Sequence, residues 1–310
     1  MKKRLMATIA LGAIAALGLA GCSSDDSGSN GASDSNGQSS ASKDLTIGVF
    51  SGWPEGIATS YLWQAVLDDK GYDVTLGTPA EAGPVFAGAS KGDYDLLFDV
   101  WLPNTHKSYW AKYGDDLEDL GTWYDNAPLT VAVNKDAPID SLDELAAHAD
   151  EFGNKIVGIE PGAGLTAVMK DSVIPAYGLD KMDFVTSSTA AMLAALKGAT
   201  QKGENIVVTL WKPQWAYAAF DLKDLKDPKN ALGDPDGIHV VGDKGFAEDH
   251  PEVAGWLGKF TFPDDLLADL EKQMFQPDAD GNTPDASQYP DIVKQWVTDH
   301  QDYVDSLTAA

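Results

Sequence analysis

Tyr94-Asp-Leu-Leu-Phe-Asp-Val-Trp101-Leu-Pro103 and Asn205-Ile-Val-Val-Thr-Leu-Trp211-Lys-Pro213 decide how this chain is read. Each is an apolar run, then a tryptophan, one spacer residue and a proline. A short apolar run bounded by polar residues reads as a buried strand. A large aromatic at the C-terminal edge of a buried parallel strand sits where open α/β sheets bind ligands. Two such edges in one chain point to two similar lobes facing each other across a cleft. Aromatic faces in that cleft suit a ligand that carries positive charge and has no hydrogen bond to give.

Outward from the first tryptophan, Leu45-Thr-Ile-Gly-Val-Phe50 reads as a strand and Ser51-Gly-Trp53-Pro-Glu-Gly56 as a turn. A helix over 57–70 follows, closed by Gly71 at its C′ position. A strand at 72–76, a helix at 81–89 and a strand at 96–100 complete the unit. The second tryptophan closes the same series: strand 155–159, the turn Glu160-Pro-Gly-Ala-Gly164, and a helix over 165–177 closed by Gly178. A strand at 184–186, a helix over 190–196 stopped near Lys197-Gly198, and a strand at 206–210 follow. Alternation of this kind implies parallel sheets covered on both faces. Ala127-Pro-Leu-Thr-Val-Ala-Val133 and Ile238-His-Val-Val241 are candidate crossing strands, with the hinge in or beside them. Tail helices at 252–260, 264–275 and 291–307 return to the first lobe. The expected division is residues 44–130 plus 238–310 for the first lobe and 131–237 for the second.

The N-terminus reads as targeting. Lys2, Lys3 and Arg4 precede an apolar run over 5–19 that is too short and wrongly flanked for a spanning helix. The run ends Leu19-Ala-Gly-Cys22, which resembles the lipobox of bacterial lipoproteins, so residues 1–21 are expected to be a signal and Cys22 the lipidated residue. Cys22 is the only cysteine, so no disulfide forms within the chain. Residues 22–43, mostly Ser, Gly, Asp and Asn, read as a disordered tether. Some twenty residues of such chain reach roughly 25 Å on root-mean-square average. The net charge of −26 argues against nucleic acid as a partner.

Trp53, Trp101 and Trp211 fall at strand-to-helix junctions and form candidate walls for a quaternary ammonium. Stacking on a sugar ring is the competing use of the same faces. Pro161-Gly-Ala-Gly164-Leu165 opens a helix whose free N–H groups suit an anion, although a plain tight turn needs the same glycines. The turn lacks the length and the Lys-Ser/Thr of a phosphate loop, so a carboxylate fits better. His106, expected one turn into the next helix, is a candidate donor to that carboxylate or an ordinary surface histidine. The other histidines show no metal-ligand spacing, and neither a metal nor a cofactor is expected. Asp99 with His106 raises an extracellular hydrolase, but no nucleophile is paired with them.

The chain resembles the substrate-binding proteins of glycine betaine and related osmoprotectant ABC importers. The resemblance rests on Asp99-Val-Trp101-Leu-Pro-Asn-Thr-His106, Gly158-Ile-Glu-Pro-Gly-Ala-Gly164, Thr186-Ser-Ser-Thr-Ala-Ala-Met-Leu-Ala-Ala195, and Val208-Thr-Leu-Trp211-Lys-Pro-Gln-Trp215. It covers nearly everything from Leu45 onward. It implies a two-lobed periplasmic-binding-protein-like fold of type II, α/β, with parallel-core sheets flanked by helices and a hinge of two crossing strands. It implies a cation cage of Trp53, Trp101 and Trp211, and a carboxylate held by His106 and the backbone amides of Gly164 and Leu165. It further implies a non-enzyme, a monomer lipid-anchored on the extracytoplasmic face, and a permease with its ATPase as partners. Some members carry Trp where this chain has Ala163, and many carry His at Gln214 and Gly at Leu210. Those departures leave open glycine betaine, proline betaine, choline, carnitine or an ectoine as the ligand.

Overall fold

The computed structural model describes residues 42–278 and 281–309, so Cys22 and its flanks lie outside the described residues. In chain order the strands are β1 (Asp44–Gly48), β2 (Asp73–Leu76), β3 (Leu96–Leu102), β4 (Leu117–Ala127), β5 (Leu129–Asn134), β6 (Lys155–Val157), β7 (Asp183–Val185), β8 (Val207–Trp211), β9 (Leu222–Asp224) and β10 (Asp236–Asp243). They form two five-stranded sheets of the same plan, β2-β1-β3-β10-β4 and β7-β6-β8-β5-β9. The repeat read around the two tryptophans is therefore a repeat of sheet topology, with β3 and β8 in equivalent places.

Both sheets are mixed where the alternation pattern implied parallel ones. The parallel core is β2-β1-β3 in one and β7-β6-β8 in the other. β10 runs antiparallel to β3, and β5 antiparallel to β8. The reason lies in where the chain crosses. β3 and β8 end at the cleft, whereas β5 enters its sheet there, directly after β4 and Pro128, with Leu129 opposite Trp211. β10 likewise enters beside the end of β3, with Ile238 opposite Trp101. A strand that starts where its neighbour stops must run against it.

Helices cover the sheets. Pro54–Asp69 follows β1, Ala82–Ala89 follows β2 and Lys107–Tyr113 follows β3. In the second half Gly164–Val168 continues through a π turn, Met169–Val173, into Ile174–Tyr177, and Thr189–Lys202 precedes β8. This last helix passes through Gly198 and stops at Gly203, whose φ of 67° supplies the left-handed cap. An interior glycine costs only about 1 kcal/mol, too little to end an alanine-rich helix. The tail helices Asp264–Phe275 and Tyr289–Asp299 pack on Pro54–Asp69. The final helix expected over 291–307 is two, broken at His300, where φ is −120°. β4 escaped the sequence reading because only Leu117, Trp123 and Ala127 of its eleven residues are buried, and bulges against β10 break its alternation.

The core beneath the first sheet is aromatic. Trp63 stacks on Phe98 with centroids 6.0 Å apart and meets Phe260 edge-on at 5.2 Å. Trp123 donates its indole N–H to the Phe98 carbonyl at 2.7 Å. A fully buried ring of this size removes roughly 150–250 Å² from water, worth about 4–6 kcal/mol. No helix among the described residues is long and apolar enough to cross a membrane.

Candidate functional site

All seven residues of β3 are buried, so the strand carries Trp101 rigidly to the cleft edge. β8 is equally buried and carries Trp211. Trp53 is the N-cap of helix Pro54–Asp69, in extended conformation at φ −105°, ψ 105°. Each Trp-x-Pro motif contains a cis peptide, Leu102–Pro103 and Lys212–Pro213. The three indoles line one cavity, and His106, Gly164 and Leu165 line it with them. All six candidates named from sequence thus meet around a single space.

His106 is a buried residue, 1% exposed, where the sequence had left a surface histidine open. Its Nδ1 accepts the Trp101 backbone N–H at 3.0 Å, and its own backbone N–H donates to the Trp101 carbonyl at 2.9 Å. It is the N-cap of the short helix Lys107–Tyr113 rather than a residue within it. Its ring stacks on Trp53 at 5.4 Å and on Phe50 at 5.9 Å. Burial lowers its pKa to about 3, so the imidazole is neutral at physiological pH. With Nδ1 accepting, the proton resides on Nε2, which is the one donor the ring has left. Asp99 does not pair with this ring. Its Oδ1 accepts the Trp101 indole N–H at 2.6 Å, so the hydrolase arrangement of base and orienting acid is not formed.

The glycine turn is braced from within. Glu160 accepts from the Thr189 backbone N–H at 2.7 Å and from its hydroxyl at 2.9 Å, and the Thr166 hydroxyl donates to the Glu160 carbonyl at 2.8 Å. Gly164 and Leu165 open helix Gly164–Val168, and first-turn N–H groups have no intrahelical acceptor. Both residues line the cavity.

The turn also touches the other half of the molecule. The Tyr109 hydroxyl donates to the Gly162 carbonyl at 2.7 Å. A Cβ added to Gly164 would lie 2.1 Å from the Thr105 carbonyl oxygen. Thr105 itself is fixed, since Asp236 accepts its backbone N–H at 2.8 Å and its hydroxyl at 2.5 Å. The cleft is shut at this point to backbone contact.

The sequence reading missed Glu55. An acid in the first turn of a helix looks like ordinary dipole complementation, and nothing in Pro54-Glu55-Gly56 marks it otherwise. In the structure it is 1% exposed and lines the cavity. Its Oε2 has no hydrogen-bond partner, and the Trp53 and Trp211 indole nitrogens likewise lack one. Burial, then Asp99 and Glu271 nearby, push its carboxyl well above the usual range.

Comparisons with known proteins bear on the family of the chain. A family model described as the substrate-binding domain of ABC-type glycine betaine transport systems, OpuAC, matches residues 43–299. The glycine betaine/carnitine transport binding protein GbuC of Listeria monocytogenes is 34% identical over 174 residues, 56% of this chain. That match spans about half the relative's length, 54%. A crystal structure of lactococcal OpuAC, closed and complexed with glycine betaine, superposes with TM-score 0.76 at 28% identity, covering 86% of this chain and 99% of that one. The glycine/betaine/L-proline-binding protein ProX of Borrelia burgdorferi gives TM-score 0.76 at 27% identity, covering 84% and 95%.

Proposed function

The chain belongs to the substrate-binding domains of ABC-type glycine betaine transport systems, a class that binds and delivers solutes rather than transforming them, and from that premise we propose that it captures glycine betaine or a close quaternary-ammonium relative and hands it to an ABC permease. The observation that carries this is the meeting of Trp53, Trp101 and Trp211 around one small cavity. Each ring face is worth about 0.5–2 kcal/mol to a desolvated cation without hydrogen-bond donors. The carboxylate of the same ligand takes the His106 Nε2–H and the amides of Gly164 and Leu165. Both charges leave water on binding, so both must be matched. A sugar is poorly served, because Thr105 already spends its hydroxyl on Asp236 and few polar side chains remain in the lining.

Titrating the chain from residue 42 onward with glycine betaine, while following tryptophan fluorescence, tests this reading. A saturable change competed by proline betaine and untouched by sugars is the expected result. A folded protein that responds to no quaternary ammonium would overturn it.

In this proposal the two sheets belong to lobes that close about the crossings at Pro128 and before Asp236. The protein acts as a monomer on the extracytoplasmic face, held by lipid on Cys22 through the tether that ends near residue 43, with the permease and its ATPase as partners. Cys22→Ala should move the protein from the membrane to the soluble fraction. Retention of that variant at the membrane would exclude the anchor.

A further inference from the structure

Behind the tryptophans lies a feature that a cation–π cage and a carboxylate clamp leave without a role. Three carboxyl groups converge there from three elements: Glu55 from the start of helix Pro54–Asp69, Asp99 from β3, and Glu271 from helix Asp264–Phe275. Each residue is 1% exposed. Each keeps one oxygen with no hydrogen-bond partner: Glu55 Oε2, Asp99 Oδ2 and Glu271 Oε1. A Cβ on Gly56 would meet Asp99 Oδ2 at 2.3 Å, so Asp99 packs directly on the backbone beside Glu55. Among the described residues no lysine or arginine forms an ion pair with the three. Such a cluster is costly, because buried like charges without partners destabilise a fold by several kcal/mol unless protons or a ligand relieve them. Of the three, only Glu55 lines the cavity.

We propose that Glu55 is the counter-charge of the bound cation: in the closed cleft its carboxyl keeps its proton without ligand and releases it to solvent when the quaternary ammonium is present. The inference rests on the proposed function above, since it needs a cation among the indoles. A trimethylammonium group offers no proton and accepts none. Beyond the ring faces, what improves its electrostatics in a water-poor cavity is a negative charge within a few ångströms. Glu55 is placed for this at the positive end of a sixteen-residue helix, where ionisation is favoured. The groups facing it set the direction of the exchange. Burial and the neighbouring Asp99 and Glu271 hold its proton on, and the nearby Trp211 indole N–H favours its loss. Burial likewise raises Asp99 to about 7 and Glu271 to about 8. His106, the remaining titratable group on the cavity, is neutral and contributes no charge. The ligand's charge adds to the indole's side of the balance and tips it. The O–H bond of the Glu55 carboxyl breaks, and the proton passes to a buffer base.

Because the bound state holds fewer protons than the free state, affinity rises with pH between the Glu55 pKa of the complex and that of the empty protein, and levels off above. Calorimetric titration with glycine betaine in two buffers of different ionisation enthalpy reads this directly. The expected result is a net release of protons on binding, with affinity rising with pH by at most about tenfold per unit. Glu55→Gln should still bind, more weakly, with no proton release and no pH dependence. Saturable binding by the wild-type protein without proton exchange would overturn this inference and leave the proposed function standing. A Glu55→Gln protein that releases protons as the wild type does would overturn it too, and would hand the role to Asp99 or Glu271. Failure of the wild-type protein to bind would overturn the proposed function and this inference together.

Discussion

Trp101→Ala is expected to weaken glycine betaine binding by up to about 30-fold through a lost cation–π wall, and to destabilise the unliganded protein through a newly orphaned buried acceptor. The wall alone is worth up to about 2 kcal/mol when desolvated. The second term arises because the Trp101 indole N–H is the hydrogen-bond partner of Asp99 Oδ1 at 2.6 Å. Removing it leaves a fully buried carboxyl without that donor, at a cost of about 1–3 kcal/mol, and perturbs the acidic cluster beside the cavity. Trp211 has no such partner, so Trp211→Ala should lose the wall but not the second term. Trp101→Phe separates the two: it keeps a ring face and loses the N–H. Calorimetry on the three variants, each with its thermal midpoint measured without ligand, checks both effects. Wild-type affinity in a folded Trp101→Ala protein would remove the tryptophan from the cage.

Position along a strand explains why the six candidates could be named from sequence. β3 and β8 are buried on both faces and run as near-continuous apolar segments, so their ends are visible as the point where a Trp and a Pro interrupt them. The glycine turn and Trp53 announce themselves as junctions in the same way. What the sequence conceals is contact between segments far apart in the chain. Glu55, Asp99 and Glu271 are spread over more than two hundred residues; Glu55 and Glu271 each resemble a solvated surface acid, and Asp99 in its strand points only to His106 nearby in sequence. His106 became a buried ring only because Phe50, Trp53 and Phe86 close over it from other elements. The direction of β5 and β10 was hidden for a related reason. Apolar patterning gives a strand's burial and not the end from which it enters its sheet.

Gly164→Ala should cost at least about a hundredfold in affinity while leaving the unliganded protein as stable as the wild type, because it acts on closure and not on folding. Gly164 does not need a left-handed conformation, and alanine suits the first turn of a helix. The added Cβ, however, would sit 2.1 Å from the Thr105 carbonyl oxygen, a separation no carbon–oxygen pair tolerates. Thr105 cannot retreat without breaking its two hydrogen bonds to Asp236. The strain is therefore relieved by keeping the halves apart. Trp53, Trp101 and His106 belong to elements of the first sheet, whereas Trp211, Gly164 and Leu165 belong to those of the second. Held open, the cleft offers a zwitterion half of its walls and divides both the cation's partners and the carboxylate's between the two sides. Small-angle scattering should show ligand-induced compaction in the wild type and none in the variant. Tyr109→Phe supplies the contrast: it deletes the hydrogen bond to the Gly162 carbonyl across the same contact without adding bulk. Its loss of about 0.5–1.5 kcal/mol corresponds to a roughly three- to tenfold weakening, with compaction preserved. If Gly164→Ala binds as tightly as Tyr109→Phe, the glycine is not where closure is limited, and the site does not depend on the backbone approach seen at Thr105.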